Sequence, residues 1–199
     1  QRGGDIRNMG LEADVLRVAG AAGVPVAELV ASSTDPSVLG AAFMVLSAVD
    51  GETIARKILR DDEFAEARRL LPGQLGVALA RIHRTDTSTL GGLTSDDQIA
   101  MYRTVLDTSG HPHPTFELAF RWLERNRPPL QRPTLVHGDF RLGNLMMGGD
   151  GLRAVLDWEL AHLGDPMEDL GWLCVKAWRF GSPKPVAGVG DYQELIDAY

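Results

Sequence analysis

The chain gathers one histidine, two aspartates and an asparagine in a short stretch: His137, Asp139, Asn144 and Asp157 lie within LVHGDFRLGNLMMGGDGLRAVLDWELAHLGDP, residues 135–166. Carboxylate and amide oxygens are hard donors that suit Mg²⁺, and a carboxylate beside such an ion can orient a hydroxyl or take its proton. Those few parts are what transfer of a phosphoryl group requires, because positioning and charge neutralisation do most of the work. A second chemistry fits the same stretch. His137, Asp139, Asp157 and His162 could hold a metal for phosphoester hydrolysis, although that chemistry calls for histidine ligands and Asn144 with the carboxylates suits Mg²⁺ better.

The elements that must carry these residues follow from pattern. Thr134-Leu135-Val136 reads as a short strand entering the loop. Leu145–Met147 and Leu152–Leu156 read as a hairpin around a Gly-Gly-Asp-Gly turn, a better fit than a phosphate cradle for that glycine cluster. A hairpin returns the chain on itself, so Asn144 and Asp157 at its open end can share one ion. Asp165-Pro166 then opens a helix running through Leu170, Leu173 and Ala177, with Glu168 three residues after the cap. In it, Asp169 reads as a buried, paired carboxylate among apolar neighbours.

Upstream, Gln1–Gly10 reads as loop and Leu11–Ala19 as a helix with apolar residues at 11, 15, 16 and 19. Val24–Val26 is extended around Pro25, Ser32–Ser37 is a turn cluster, and the apolar run Ala41–Val49 is a buried strand. Helical stripes follow over Asp62–Leu71, interrupted at Pro72-Gly73, and over Leu75–Ile82. A further helix is capped by Ser95 and Gln98, and another carries Phe116, Phe120 and Leu123 before Pro128-Pro129. Gly181–Gly190 is a loop, and Tyr192–Tyr199 has helical spacing. His111 and His113 read as surface residues, and Trp158 and Trp172 as packing near the loop.

The 199 residues carry a net charge of -7, with 44% hydrophobic and 24% charged residues. That balance is globular, lacks the basic excess of a nucleic-acid binder and contains no apolar run of membrane-spanning length. One cysteine, Cys174, precludes an internal disulfide and reads as a small buried residue of a reducing, cytoplasmic compartment. The chain opens on Gln1 and closes within a helical pattern, as a piece of a longer protein would.

Asp139 and Asn144, five positions apart, have the spacing of the protein-kinase catalytic loop, H-R-D-x-x-x-x-N, with Gly138 in place of the arginine. HGDFRLGN, VLDWE and GDPMEDLGWL together resemble the catalytic loop, metal-binding segment and following helix of the aminoglycoside phosphotransferases and choline kinases. The resemblance implies an α+β, protein-kinase-like fold. Residues 1–49 would be the remainder of a nucleotide-binding lobe. Residues 50–199 would be a mostly helical lobe with the catalytic loop and hairpin at 135–159, truncated at its C-terminus. It implies Asp139 as catalytic base, His137 and Asp169 as supports of the catalytic loop, and Asn144 and Asp157 as Mg²⁺ ligands with Glu159 beside them. FMVLSAVDGETI is similar to the strand and hinge where backbone groups of Ser47, Ala48 and Val49 meet adenine. LEADVLRVAGAAGVPV is similar to the helix whose glutamate, here Glu12, pairs a nucleotide-binding lysine. LARIH, residues 79–83, resembles the helix before the catalytic loop. DGETIARKILRDDEF resembles the phosphotransferase domains associated with acyl-CoA dehydrogenases. The phosphate-covering loop and strand lysine of the family have no counterpart before Glu12, the first lysine being Lys57.

The function implied is ATP- and Mg²⁺-dependent transfer of the γ-phosphoryl group to a hydroxyl of a small molecule, with no nucleic-acid or membrane partner. A catalytically inactive nucleotide-binding remnant and the metal-dependent phosphohydrolase are the alternatives. Neither the acceptor nor the oligomeric state is written in the sequence.

Overall fold

The computed structural model describes residues 6–129 and 132–199. Its elements run α1 (Ile6–Ala21), β1 (Leu29–Ser33), α2 (Pro36–Leu39), β2 (Phe43–Leu46), α3 (Ala55–Arg60), α4 (Ala65–Arg84), α5 (Gln98–Thr108), α6 (Pro114–Asn126), β3 (Thr134–Val136), β4 (Leu145–Gly148), β5 (Gly151–Val155), β6 (His162–Gly164), α7 (Met167–Leu173) and α8 (Tyr192–Ala198). Short 3₁₀ turns at Asp62–Phe64, Leu142–Asn144 and Lys176–Arg179 complete the order. The fold is α+β, as the sequence predicts.

The described strands form three two-stranded antiparallel sheets, β1 with β2, β3 with β6, and β4 with β5. The β3–β6 pair matters most for the site. Thr134, Leu135 and Val136 pair with Gly164, Leu163 and His162, so everything from 137 to 161 leaves and re-enters the fold through one latch. Inside that excursion, the β4–β5 hairpin turns at Gly148 and Gly151 as the glycine pattern predicts.

Helix α4 is the spine. Leu71, Leu75, Ala78, Leu79 and Ile82 are fully or almost fully buried and follow the spacing of one helical face. That face packs against α8, β5 and β3. The expected break at Pro72-Gly73 does not occur: α4 runs unbroken through Pro72. A proline inside a helix forfeits one backbone hydrogen bond, at about 3 kcal/mol. Here its ring is buried, and Gly190 approaches it so closely that a Cβ on residue 190 would stand 2.2 Å from Pro72 Cγ. Tertiary packing overrides the local preference.

Several other local expectations give way for identifiable reasons. Ile6–Gly10 belong to α1, while Gln1–Asp5 lie outside the described residues. Ser32 and Ser33 belong to β1, held by pairing with Met44 and Phe43, and the turn is confined to Asp35, which caps α2. The strand read over Ala41–Val49 is only β2, four residues long and partly exposed. Asp97, not Ser95, caps α5: its carboxylate accepts from the Ile99 and Ala100 N–H groups. Helix α7 stops at Leu173, and Cys174 beyond it is half-buried with no disulfide partner. Helices α5 and α6 pack on each other, with no fully buried residue in either. No helix among the described residues is long and apolar enough to cross a membrane.

The α4–α8 contact makes a paired prediction. Replacing an internal helical glycine with alanine gains about 1 kcal/mol of intrinsic propensity. At Gly76 the added Cβ would stand 2.5 Å from the Leu195 carbonyl oxygen and 2.8 Å from the Ala198 Cβ, whereas at Gly73 it would meet nothing within 4 Å. Gly76→Ala is therefore expected to lose about 1–3 kcal/mol to overpacking, and Gly73→Ala to be neutral or stabilising. Urea denaturation of the two variants checks the contrast.

Candidate functional site

Asp169, in the first turn of α7, is wholly buried. Its Oδ2 accepts from the backbone N–H of His137 at 2.8 Å and its Oδ1 from that of Gly138 at 3.0 Å. Nε2 of His83, near the end of α4, lies 3.1 Å from the same carboxylate. The start of the loop is thereby clamped by its backbone. Gly138 fits this clamp only as glycine: its φ is +83°, and a Cβ would stand 2.6 Å from the Leu160 carbonyl oxygen. That is the structural reason for the H-G-D form of the motif.

His137 is also fully buried, packed against the rings of Phe140 and Trp158. Its Nε2 lies 2.9 Å from the Leu156 carbonyl, and its Nδ1 accepts from the Asp139 N–H at 3.2 Å. Both nitrogens are engaged, which fits a neutral ring. Burial depresses its pKa below the ordinary histidine value, with the Asp169 carboxylate opposing. His137 is placed to shape the loop, with no nitrogen left for a substrate.

Asp139 sits at the bend, with its side chain 18% exposed. Its carboxylate accepts from Asn144 Nδ2 at 2.7 Å, from Trp172 Nε1 at 2.7 Å and from Arg141 Nε at 3.0 and 3.1 Å. Asn144 is buried, and the same amide nitrogen reaches the Asp139 carbonyl at 3.1 Å. The amide N–H groups of Asn144 thus face Asp139, which leaves its carbonyl oxygen as a donor for a cation. The backbone carbonyl of Asn144 accepts from the Leu156 N–H at 2.9 Å. This bond extends the hairpin by one step and sets Asp157 next to Asn144 across it. Asp157 itself has a left-handed backbone, φ +64°, and is exposed, and its carboxylate has no hydrogen-bond partner among the described residues.

These donors fit Mg²⁺ chemically. One amide oxygen and one carboxylate leave the rest of an octahedron to water and phosphate oxygens, the usual manner of a Mg²⁺ site at a nucleotide. Among the described residues no three His, Cys, Asp or Glu side chains converge as a self-sufficient metal cage. Glu159 is exposed beyond Trp158. Glu12, on α1, faces this segment: burial raises its carboxyl pKa most, the negative charges of Asp157 and then Glu159 raise it further, and the Trp158 backbone N–H works the other way.

Of the three residues read as meeting adenine, Ser47 is less free than the sequence suggests. The Ser47 N–H donates to the Glu28 carbonyl at 2.9 Å, and its hydroxyl accepts from the Glu28 N–H at 2.9 Å. Ala48 and Val49 have no backbone partners among the described residues. His162 lies in β6, with Nδ1 2.9 Å from the Leu160 carbonyl and Nε2 3.1 Å from a Glu168 oxygen. His111 and His113 are exposed, away from these residues. Arg141, Trp172 and His83 are the contributors to which the motif reading gave no role at Asp139 or Asp169. Arg141 was the most accessible of them, two residues after Asp139 in the loop.

The sequence pattern of the phosphotransferase enzyme family matches residues 3–198. Among curated proteins, acyl-CoA dehydrogenase family member 10 of Mus musculus is 32% identical over 185 residues, covering 86% of this chain and 17% of the relative. Acyl-CoA dehydrogenase family member 11 of Gallus gallus is 33% identical over 165 residues, covering 76% and 21%. The chain thus spans about a fifth of the curated relatives it matches. Among solved structures, a Ralstonia eutropha protein assigned as an aminoglycoside phosphotransferase superposes with a TM-score of 0.71 at 26% identity, over 96% of this chain and 64% of that one. A choline/ethanolamine kinase family protein from Mesorhizobium loti gives 0.68 at 22% identity, over 96% and 61%. APH(2″)-IIa in a ternary complex with streptomycin and ATP gives 0.60 at 17% identity, over 85% and 60%.

The His162 contacts generate a pH dependence. The Leu160 carbonyl and the Glu168 carboxylate both accept hydrogen bonds, and an imidazolium donates to both, while the Gln98 side-chain amide also lies 3.2 Å from Nε2. Its pKa accordingly lies above the ordinary 6.5, Glu168 being the largest cause and burial opposing. A pKa raised by folding gives stabilisation that is full below the unfolded value and lost as pH rises through the folded value. The stability difference between the parent protein and His162→Gln should therefore be largest below the ordinary value of 6.5 and shrink as the pH rises through the raised folded value. Denaturant titrations across that range decide it; a pH-independent difference would remove the charge from the account.

Proposed function

Because the chain belongs to the phosphotransferase enzyme family, we propose that it moves the γ-phosphoryl group of ATP, with Mg²⁺, to a hydroxyl of a small molecule. The observation that carries this reading is the Asn144 side chain. Its amide N–H groups fasten the Asp139 carboxylate, and its backbone holds Asp157 alongside through Leu156. One residue thus joins the group that would receive a proton to the group that would meet a cation.

In this reading Asp139 orients the acceptor hydroxyl and takes its proton as the oxygen attacks phosphorus. Asn144 and Asp157 would hold Mg²⁺, with Glu159 and Glu12 adding negative charge around them. Bound there, Mg²⁺ would neutralise phosphate charge and fix the phosphates in line for transfer. His137 and Asp169 hold the loop in shape. Residues up to Val49 serve as the nucleotide side, with Ala48 and Val49 offering backbone groups to adenine, and residues from Asp50 onward form the helical side. The absence of backbone partners at Ala48 and Val49 among the described residues supports that placement, whereas the Ser47 N–H is already committed to Glu28. Glu12 stands against the Asp157–Glu159 segment, where a cation bridging to phosphate would be stabilised.

The hydrolase alternative loses its ligands: both nitrogens of His137 and both of His162 are engaged within the protein.

Two substitutions test the proposal. Asp157→Ala should weaken Mg²⁺-dependent ATP binding at least about tenfold in calorimetry, equivalent to about 1.4 kcal/mol, while leaving metal-free binding unchanged. Asp139→Asn should keep ATP binding and lower phosphoryl transfer by a factor of about 10²–10⁴. Equal Mg²⁺-dependent affinity in Asp157→Ala would sink the metal assignment. Undiminished transfer by Asp139→Asn would sink the base.

A further inference from the structure

The Asp139 carboxylate, as it stands, has no vacancy for an acceptor hydroxyl. A carboxylate offers about four lone-pair sites, two on each oxygen. Oδ1 takes Trp172 Nε1 and Arg141 Nε, and Oδ2 takes Asn144 Nδ2 and the same Arg141 Nε. Arg141 Nε carries one hydrogen, shared between the two oxygens, so this donor alone covers the last site on each.

Two of the three donors are fixed. Asn144 is buried and tied also to the Asp139 carbonyl, and Trp172 is set in α7 with its ring edge against Trp178. Arg141 differs. Its side chain is 27% exposed, and its guanidinium carbon lies 4.9 Å from the centre of the Trp178 ring. Among the described residues Nη1 and Nη2 have no hydrogen-bond partner; only Nε touches Asp139. Space for this head is reserved by Gly143, where a Cβ would stand 2.3 Å from Nη1. The guanidinium is thus held over an aromatic face with its terminal fork open. That fork matches two phosphate oxygens better than one carboxylate reached through Nε.

We propose that Arg141 is a gate on Asp139, displaced by the terminal phosphate of the bound nucleotide. The proposal rests on the phosphotransfer reading above and adds to it an order of events. A partly exposed Arg–carboxylate pair contributes only about 0–1 kcal/mol, so a multiply charged phosphate competes for it with ease. The guanidinium turns on the Trp178 face, keeps its cation–π contact, and pairs with the γ-phosphate through Nη1 and Nη2. Nε leaves Asp139 and frees one site on each oxygen. The acceptor O–H then donates to Asp139. Its oxygen bonds to the γ-phosphorus as the bond from phosphorus to the β-phosphate oxygen breaks. ADP departs with that electron pair, and the proton resides on Asp139. The base is open to an acceptor only when a triphosphate is in place.

The test is calorimetry with Mg²⁺ and either ADP or the non-hydrolysable triphosphate AMP-PNP, on the parent protein, Arg141→Gln and Arg141→Lys. The parent should bind AMP-PNP about tenfold more tightly than ADP. Arg141→Gln should bring that ratio to about one with ADP affinity retained, which also reports an intact fold, and Arg141→Lys should restore part of it. A ratio unchanged in Arg141→Gln, or a parent that binds both nucleotides equally, overturns the gate and leaves the phosphotransfer reading standing. A parent that binds neither nucleotide overturns that reading and the gate with it.

Discussion

Three donors converge on a carboxylate that has no contact with solvent, and most of the architecture is arranged around that fact. An ionised group in this position is tolerated only if its lone pairs are filled; left without donors it would cost several kcal/mol. Asp169 obtains two of its donors from consecutive backbone N–H groups of the loop and the third from His83, whose other nitrogen meets the Tyr199 hydroxyl at 2.8 Å. Helices α4, α7 and α8 and the loop therefore share one polar centre. None of them can shift without stranding a buried polar group, so the loop geometry is set by the packing of three helices.

The latch between β3 and β6 does the complementary job at longer range. It fixes where the excursion begins and ends, and the Asp169 clamp fixes its first bend. The β4–β5 hairpin and the Asn144–Leu156 bond fix its far end. What remains unfastened is the carboxylate of Asp157 and the open fork of Arg141, with Glu159 exposed beside them and Glu12 held to the Trp158 backbone N–H. With Asp169, His137 and Asn144 satisfied within the protein, this face leaves free the groups suited to a cation and a phosphate.

How much of this was legible in the sequence depends on the range of the interaction. The hairpin could be read because turn chemistry and strand pattern lie within a dozen residues of each other. The same holds for Asp165-Pro166 and the start of α7. The buried state of Asp169 followed from its apolar neighbours, but its His83 partner lies 86 positions away and leaves no local trace. Strand β6 is three residues long and exists only because β3 is beside it. Strand β1 is hidden at its polar end, where Ser32 and Ser33 match a turn cluster by composition and only pairing with Met44 and Phe43 makes them strand. Pro72 looked like a helix break because the packing of Gly190 against it is invisible to local propensity. Arg141 was present in the motif, but motif spacing does not report that its Nε lies on the Asp139 carboxylate or that Gly143 makes room for it.

Asp157 occupies a backbone conformation that admits few residues. At φ +64° glycine is at ease, asparagine and aspartate are tolerated, and β-branched or bulky side chains are disfavoured. Of those three, aspartate alone brings a carboxylate. The position is thus bounded from two independent directions, by torsional sterics and by charge. Most single-nucleotide routes away from it lead to a residue that fails one requirement or both. Substitution is accordingly expected to be tolerated less at Asp157 than on the exposed faces of α5 and α6, where neither constraint applies.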